Sequence, residues 1–188
     1  GLSNKDLRDE VMTMFMAGHE TTANGLAWTI HALAAHPEIE GKLRDEVARV
    51  VGDGPLKLEH LRELTFARQI FEESLRLYPP IWAMPRTSLM KTTLDGVLIP
   101  KEAVVSVNPF LLHRNPNVFK DPLKFDPDRF SPERRKAIGR FDYIPFGAGP
   151  HTCIGSQFAL MEAQVILAMT YRRYRLEVPA EEPVVQPL

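Results

Sequence analysis

The chain has a single cysteine, and it stands in Phe146-Gly147-Ala148-Gly149-Pro150-His151-Thr152-Cys153-Ile154-Gly155, a glycine-rich stretch that runs into a long helical pattern. A cysteine thiolate is a strong nucleophile and a soft metal ligand. Glycines on both sides let the backbone fold tightly enough for main-chain N–H groups to point at the sulfur, and the helix that follows brings its positive end near it. Both effects favour the thiolate. A lone cysteine in an arbitrary chain is more often a small buried hydrophobe, so it is the surrounding loop that singles this one out.

Two further groups have side chains that could do chemistry. Gly18, Glu20, Thr21 and Thr22 interrupt an almost continuously apolar helical pattern. A carboxylate can relay protons and a hydroxyl can hold a water. Gly18 costs the helix about 1 kcal/mol relative to alanine, and hydroxyls that bond back to the preceding turn bend helices, so a local bulge is expected here. Glu73 and Arg76 stand one helical turn apart, with Glu72 and Arg76 almost as good a pair. Alone, either pair is a solvent-exposed ion pair worth under about 1 kcal/mol.

In their order along the chain these motifs resemble those of the cytochrome P-450 superfamily. Phe146-x-x-Gly149-x-His151-x-Cys153-x-Gly155 is similar to its haem-binding signature. The resemblance implies that Cys153 is the proximal thiolate ligand to haem iron, that Phe146 packs beside the sulfur, and that Gly149 and Gly155 shape the cofactor loop. His151, where the family often has arginine, would donate to a haem propionate. Ala17-Gly18-His19-Glu20-Thr21-Thr22 resembles the oxygen-binding segment of the central helix. Ala17 would then lie against the cofactor, and Glu20 with Thr21 would form the acid–alcohol pair that delivers protons.

Glu73-x-x-Arg76, together with Arg129 in Phe125-Asp126-Pro127-Asp128-Arg129-Phe130, resembles the buried triad that holds the cysteine loop. Arg86, just after Met84-Pro85, resembles an arginine that pairs with a propionate, and Ile81 to Met84 would face the substrate. The implied cofactor is haem b (iron protoporphyrin IX). The implied reaction inserts one oxygen atom from O2 into a small, apolar organic molecule, with electrons from a ferredoxin or a flavoprotein reductase. A haem-thiolate peroxygenase or isomerase is one rival, and such enzymes usually replace the acid–alcohol pair, so Glu20 and Thr21 argue for O2 activation. A helical interaction domain with coincidental motifs is the non-enzyme rival.

The elements that must position these residues follow from the same sequence. Ser3 to Asp6 reads as a capping box that opens a helix running until Pro37, apolar enough to be buried on most faces. Standing without further neighbours, that helix would expose Met12, Phe15, Leu26 and Trp28. A second, highly charged surface helix begins at Pro37, and a third runs from about Leu58 to Leu77. Short strands from Arg86 to Val107, around an Asp95-Gly96 turn, predict one small antiparallel sheet. Pro109 to Asp142 reads as a packed meander, and a last helix follows Gly155 before the chain turns extended from Tyr171 to Val178.

The fold class expected is mainly α with a small antiparallel β region. The resemblance implies that residues 1–188 are a partial cytochrome P-450 domain, from the central oxygen-binding helix to the start of the C-terminal strands. Both ends look cut from something longer, so any membrane anchor is expected outside these residues. With 188 residues, 44% hydrophobic, and a formal net charge of -1, the chain suits one domain with a sizeable core and no nucleic-acid partner. No apolar run is long enough to cross a bilayer, and one cysteine excludes an internal disulfide. A reducing, cytoplasmic location is the expectation.

Overall fold

A computed structural model of the chain describes residues 1–177. Helix α1 spans Asn4–Ala34, about 46 Å at the usual rise. It opens on the expected capping box, with Ser3 Oγ accepting from the Asp6 N–H at 3.2 Å and the Asp6 carboxylate accepting from the Ser3 N–H at 3.0 Å. The helix is α-helical without interruption. The bulge expected near Gly18 is absent: Thr21 Oγ1 bonds back to the Ala17 carbonyl at 2.7 Å without displacing the ladder.

The two halves of α1 differ. Residues 1–20 are exposed throughout, including Met12 and Phe15, whereas Gly25, Leu26, Thr29, Ala32 and Leu33 are buried. Leu26 and Trp28 therefore depart from the expected exposed patch, since Leu26 joins the core and Trp28 stacks on Tyr78 with ring centroids 4.6 Å apart. Gly25 permits this docking. A Cβ there would stand 3.2 Å from the Phe71 ring and 3.4 Å from Leu75 Cδ2, so α1 approaches its neighbour closely only at a residue without a side chain.

That neighbour is α3, Thr65–Leu77, which packs against α1, α5 (Ser156–Arg173) and the meander. Helix α2, Pro37–Val50, closes the group by packing on α1, α3 and α5. Leu33, Leu43, Ile70 and Leu167, one from each of the four, are fully buried, and each contributes about 2 kcal/mol of apolar burial. The expected third helix is broken: Leu58–Arg62 forms a 3-10 turn, and α3 starts only after buried Leu64.

Helix α2 is more than the surface helix expected. Its Glu46 carboxylate accepts from the Phe66 and Ala67 N–H groups at 2.7 and 2.9 Å, supplying the cap that the N-terminus of α3 lacks locally. Arg44 is held by Glu40 at 2.7 Å and donates to the carbonyls of Tyr171 and Tyr174, tying α2 to the end of α5.

The β region consists of two separate ribbons rather than one sheet. Strand β1, Met84–Thr87, pairs antiparallel with β4, Val104–Val107, placing Arg86 opposite Val105. Strands β2, Thr92–Leu94, and β3, Val97–Ile99, form the hairpin around Asp95 and Gly96, whose φ angles of +47° and +77° are those of the tight turn expected. The meander begins with the short helix α4, Pro109–Leu112, and buries Phe119, Phe125 and Phe130. Helix α5 persists to Arg173, so extended chain begins at Tyr174 rather than Tyr171. The expected C-terminal strands lie largely outside the described residues.

Candidate active site

The interior of the site is a charge cluster on α3. Arg76 and Glu73 are both fully buried and form a bidentate pair, Nε to Oε2 at 2.7 Å and Nη2 to Oε1 at 2.9 Å. Arg129 completes the expected triad with Nε 3.4 Å from Glu73 Oε1. Glu72 takes no part. It is held instead by Arg135 at 3.1 Å and Arg68 at 3.8 Å, so the alternative Glu72–Arg76 pair does not form.

A buried ion pair is tolerable only when the remaining donors and acceptors are satisfied. Here Arg76 also donates to the carbonyls of His113, Pro122 and Lys124, at 2.8, 2.7 and 3.2 Å, while the Asp126 N–H donates to Glu73 Oε1 at 2.8 Å. Burial pushes the Glu73 carboxyl above its ordinary range, and the hydrogen bonds from Arg76 pull against it. The cluster thus fixes the meander onto α3 through its backbone as well as through charge.

The cysteine loop leaves the meander at Ile144, whose N–H donates to His113 Nε2 at 2.9 Å. The Tyr143 hydroxyl beside it donates to the Glu72 carbonyl at 2.8 Å. From there the loop closes on itself: Gly147 N–H bonds the Ile144 carbonyl at 3.0 Å, Cys153 N–H the Phe146 carbonyl at 2.9 Å, and Thr152 N–H the Gly149 carbonyl at 3.2 Å. Gly147 and Gly149 have φ of +75° and +76°, the left-handed region in which glycine is at ease.

The Gly147, Thr152 and Cys153 N–H groups are thus spent on carbonyls rather than on the sulfur. The sulfur lies close to the start of α5. A Cβ on Gly155, the residue before that helix, would stand 3.8 Å from Cys153 Sγ, which puts the positive end of the α5 dipole beside it.

Cys153 is exposed, and Ile154 beside it is 94% exposed. Phe146 packs partly into the core, anchoring the loop from below. Gly147 also abuts the first residue of β1, since a Cβ there would meet Met84 Sδ at 3.6 Å. The strand that carries Arg86 therefore starts against the cysteine loop. Arg86 and His151 are both exposed, and among the described residues the Arg86 guanidinium donates only to the Pro85 carbonyl, at 2.8 Å. Ala17 and Glu20 are exposed and Thr21 half-buried on the outer half of α1.

His113 and Tyr143 were missed as candidates. Neither belongs to a motif with a local signature, and their partners lie 31 and 71 residues away in the chain. The only available signal was a histidine in an otherwise proline- and aromatic-rich segment.

The family model described as cytochrome P-450 matches residues 1–187, and the chain belongs to that family. It is 42% identical to Leukotriene-B4 omega-hydroxylase 3 of Mus musculus over 99% of this chain and 36% of that protein. It is 39% identical to Cyclooctatin synthase of Streptomyces melanosporofaciens over 93% of this chain and 38% of that protein. The chain thus spans little more than a third of the length of these relatives.

Family membership implies a haem, and the donor set fits one. No group of three or more His, Cys, Asp and Glu side chains is placed to hold a metal ion among the described residues. A single exposed thiol can secure a metal only when another group fills most of its coordination sites, as a porphyrin does. No helix among the described residues is long and apolar enough to cross a membrane.

Proposed function

We propose that this chain is the catalytic portion of a haem-thiolate monooxygenase, which inserts one atom of O2 into an apolar organic substrate with electrons from a ferredoxin or flavoprotein reductase. The observation that carries the proposal is the exposed Cys153 at the tip of a self-closed loop, pinned from behind to the Glu73–Arg76–Arg129 cluster. The cofactor is haem b, held through Cys153 and packed by Gly149, Gly155, Phe146 and Ala17. When bound, it supplies the iron at which O2 is reduced, and its thiolate ligand pushes electron density towards O–O cleavage.

His151 and Arg86 supply the positive groups for the two propionates. Both are exposed, His151 within the loop and Arg86 on the strand whose first residue abuts it, which supports this role. The Thr21 hydroxyl already spends its proton on the Ala17 carbonyl, so its lone pairs are free to accept from a water and keep that water in place. Glu20, exposed on the same helix, is the group that passes protons in from solvent. The apolar faces of Met12, Phe15 and Met16 on α1, with Ile81 and Trp82 before β1, support an apolar substrate. A cytoplasmic setting, in which a lone thiol stays reduced, completes the proposal.

The test uses the full-length protein with a reductase, labelled 18-O2 and leukotriene B4 as first probe, chosen from the name of one relative. One labelled atom should appear in the product and one in water. Product whose added oxygen comes from peroxide or water, with O2 untouched, would overturn the proposal.

A further inference from the structure

We infer that His113 is a positioning residue for Cys153, setting the height of the cysteine loop against the charge cluster on α3. This rests on the proposal that Cys153 is the thiolate ligand. The His113 ring is fully buried, and its Nε2 accepts from the Ile144 N–H at 2.9 Å. The proton of the neutral ring therefore sits on Nδ1, which faces the Arg76 and Leu75 carbonyls but makes no well-aligned hydrogen bond among the described residues. A buried donor so poorly paired is costly. Leucine or phenylalanine would fill the space without that cost, so what the imidazole alone contributes is the acceptor at Nε2.

The position of that acceptor matters because of what lies on either side. The carbonyl of His113 receives Arg76 Nη1 at 2.8 Å, so its main chain is fixed by the cluster. Its side chain fixes Ile144, whose own carbonyl takes the Gly147 N–H, and the Phe146 carbonyl two residues on takes the Cys153 N–H. One residue thus touches the charge cluster with its backbone and the cysteine loop with its ring. The Tyr143 ring, 5.1 Å from the imidazole between centroids, closes the space around it. Without the acceptor, the Ile144 N–H would be a buried donor without a partner, and the loop would move to find one.

Glutamine can place its carbonyl oxygen near the position of Nε2, whereas asparagine is one methylene too short and leucine has no acceptor. In full-length protein, His113→Gln, His113→Asn and His113→Leu are compared by hydrogen exchange of the Ile144 and Phe146 amides and by the absorbance of the reduced carbonyl complex. Phe125→Leu, a change in the core of the meander, serves as the control for general destabilisation. His113→Asn and His113→Leu should lose protection at Ile144 by about tenfold, the size of one hydrogen bond, and shift absorbance from the thiolate form to the thiol form. His113→Gln should keep both signals, and Phe125→Leu should keep the absorbance ratio.

If His113→Asn and His113→Leu fail to fold while His113→Gln folds, the acceptor is again what matters and the inference stands. Wild-type protection and absorbance in His113→Asn or His113→Leu would overturn it, as would His113→Gln behaving no better than His113→Asn. If the wild type itself shows no thiolate form, the role of Cys153 has failed, while exchange at Ile144 still reports separately on the link from His113.

Discussion

Arg76 and Glu73 face each other at 2.7 and 2.9 Å across one turn of α3, and neither side chain reaches solvent. Removing one partner leaves the other as an uncompensated buried charge. We expect Glu73→Gln and Arg76→Ala each to cost about 3–5 kcal/mol of stability. Arg76→Lys should be nearly as damaging, because an ammonium cannot form the planar fork or reach three carbonyls as well. Arg129→Lys should be milder, since its contact with Glu73 is longer at 3.4 Å. Denaturant unfolding of full-length variants checks the order, and an Arg76→Lys variant as stable as wild type would contradict it.

The His113 imidazole gives the fold a pH dependence of defined sign. Burial lowers its pKa from 6.5 to about 4. Between those values the unfolded chain binds a proton that the folded chain does not, so the stabilisation is complete above about pH 6.5 and lost as pH falls towards 4. The total is at most about 3 kcal/mol. Unfolding free energy measured from pH 7 to pH 5 should fall more steeply in wild type than in His113→Gln. Equal slopes would show that the buried ring is not responsible.

Thr21 is expected to control the fate of the electrons rather than the fold. It is half-buried and, among the described residues, bonds only to its own helix, so Thr21→Ala should change stability by less than about 1 kcal/mol. The variant should still bind haem and consume reductant, but divert much of it to hydrogen peroxide instead of product. Glu20→Gln should slow turnover through proton supply. Coupling equal to wild type in Thr21→Ala would remove its assigned role.

Local interactions are legible in this sequence, and long-range ones are not. The Ser3–Asp6 capping box and the Asp95-Gly96 turn involve residues at most three apart, and both formed as expected. Glu73 and Arg76 were visible as a pair by spacing, but the three carbonyls around Arg76 come from residues 37 to 48 positions away. The capping of α3 by Glu46, the grip of Arg44 on Tyr171 and the bond from Ile144 to His113 are of the same kind. A charged pattern on α2 looked superficial because its partners were not neighbours in sequence. The candidate site divides likewise: the loop around Cys153 was legible in its glycines, whereas the contact of Met84 with that loop needed the fold.

The most direct test of the central claim is the absorbance of the reduced carbonyl complex of the full-length protein. If Cys153 is the thiolate ligand, the wild type should show the strongly red-shifted Soret band of thiolate ligation, and Cys153→Ser should abolish it. The same band in Cys153→Ser, or its absence from a haem-loaded wild type, would contradict the assignment.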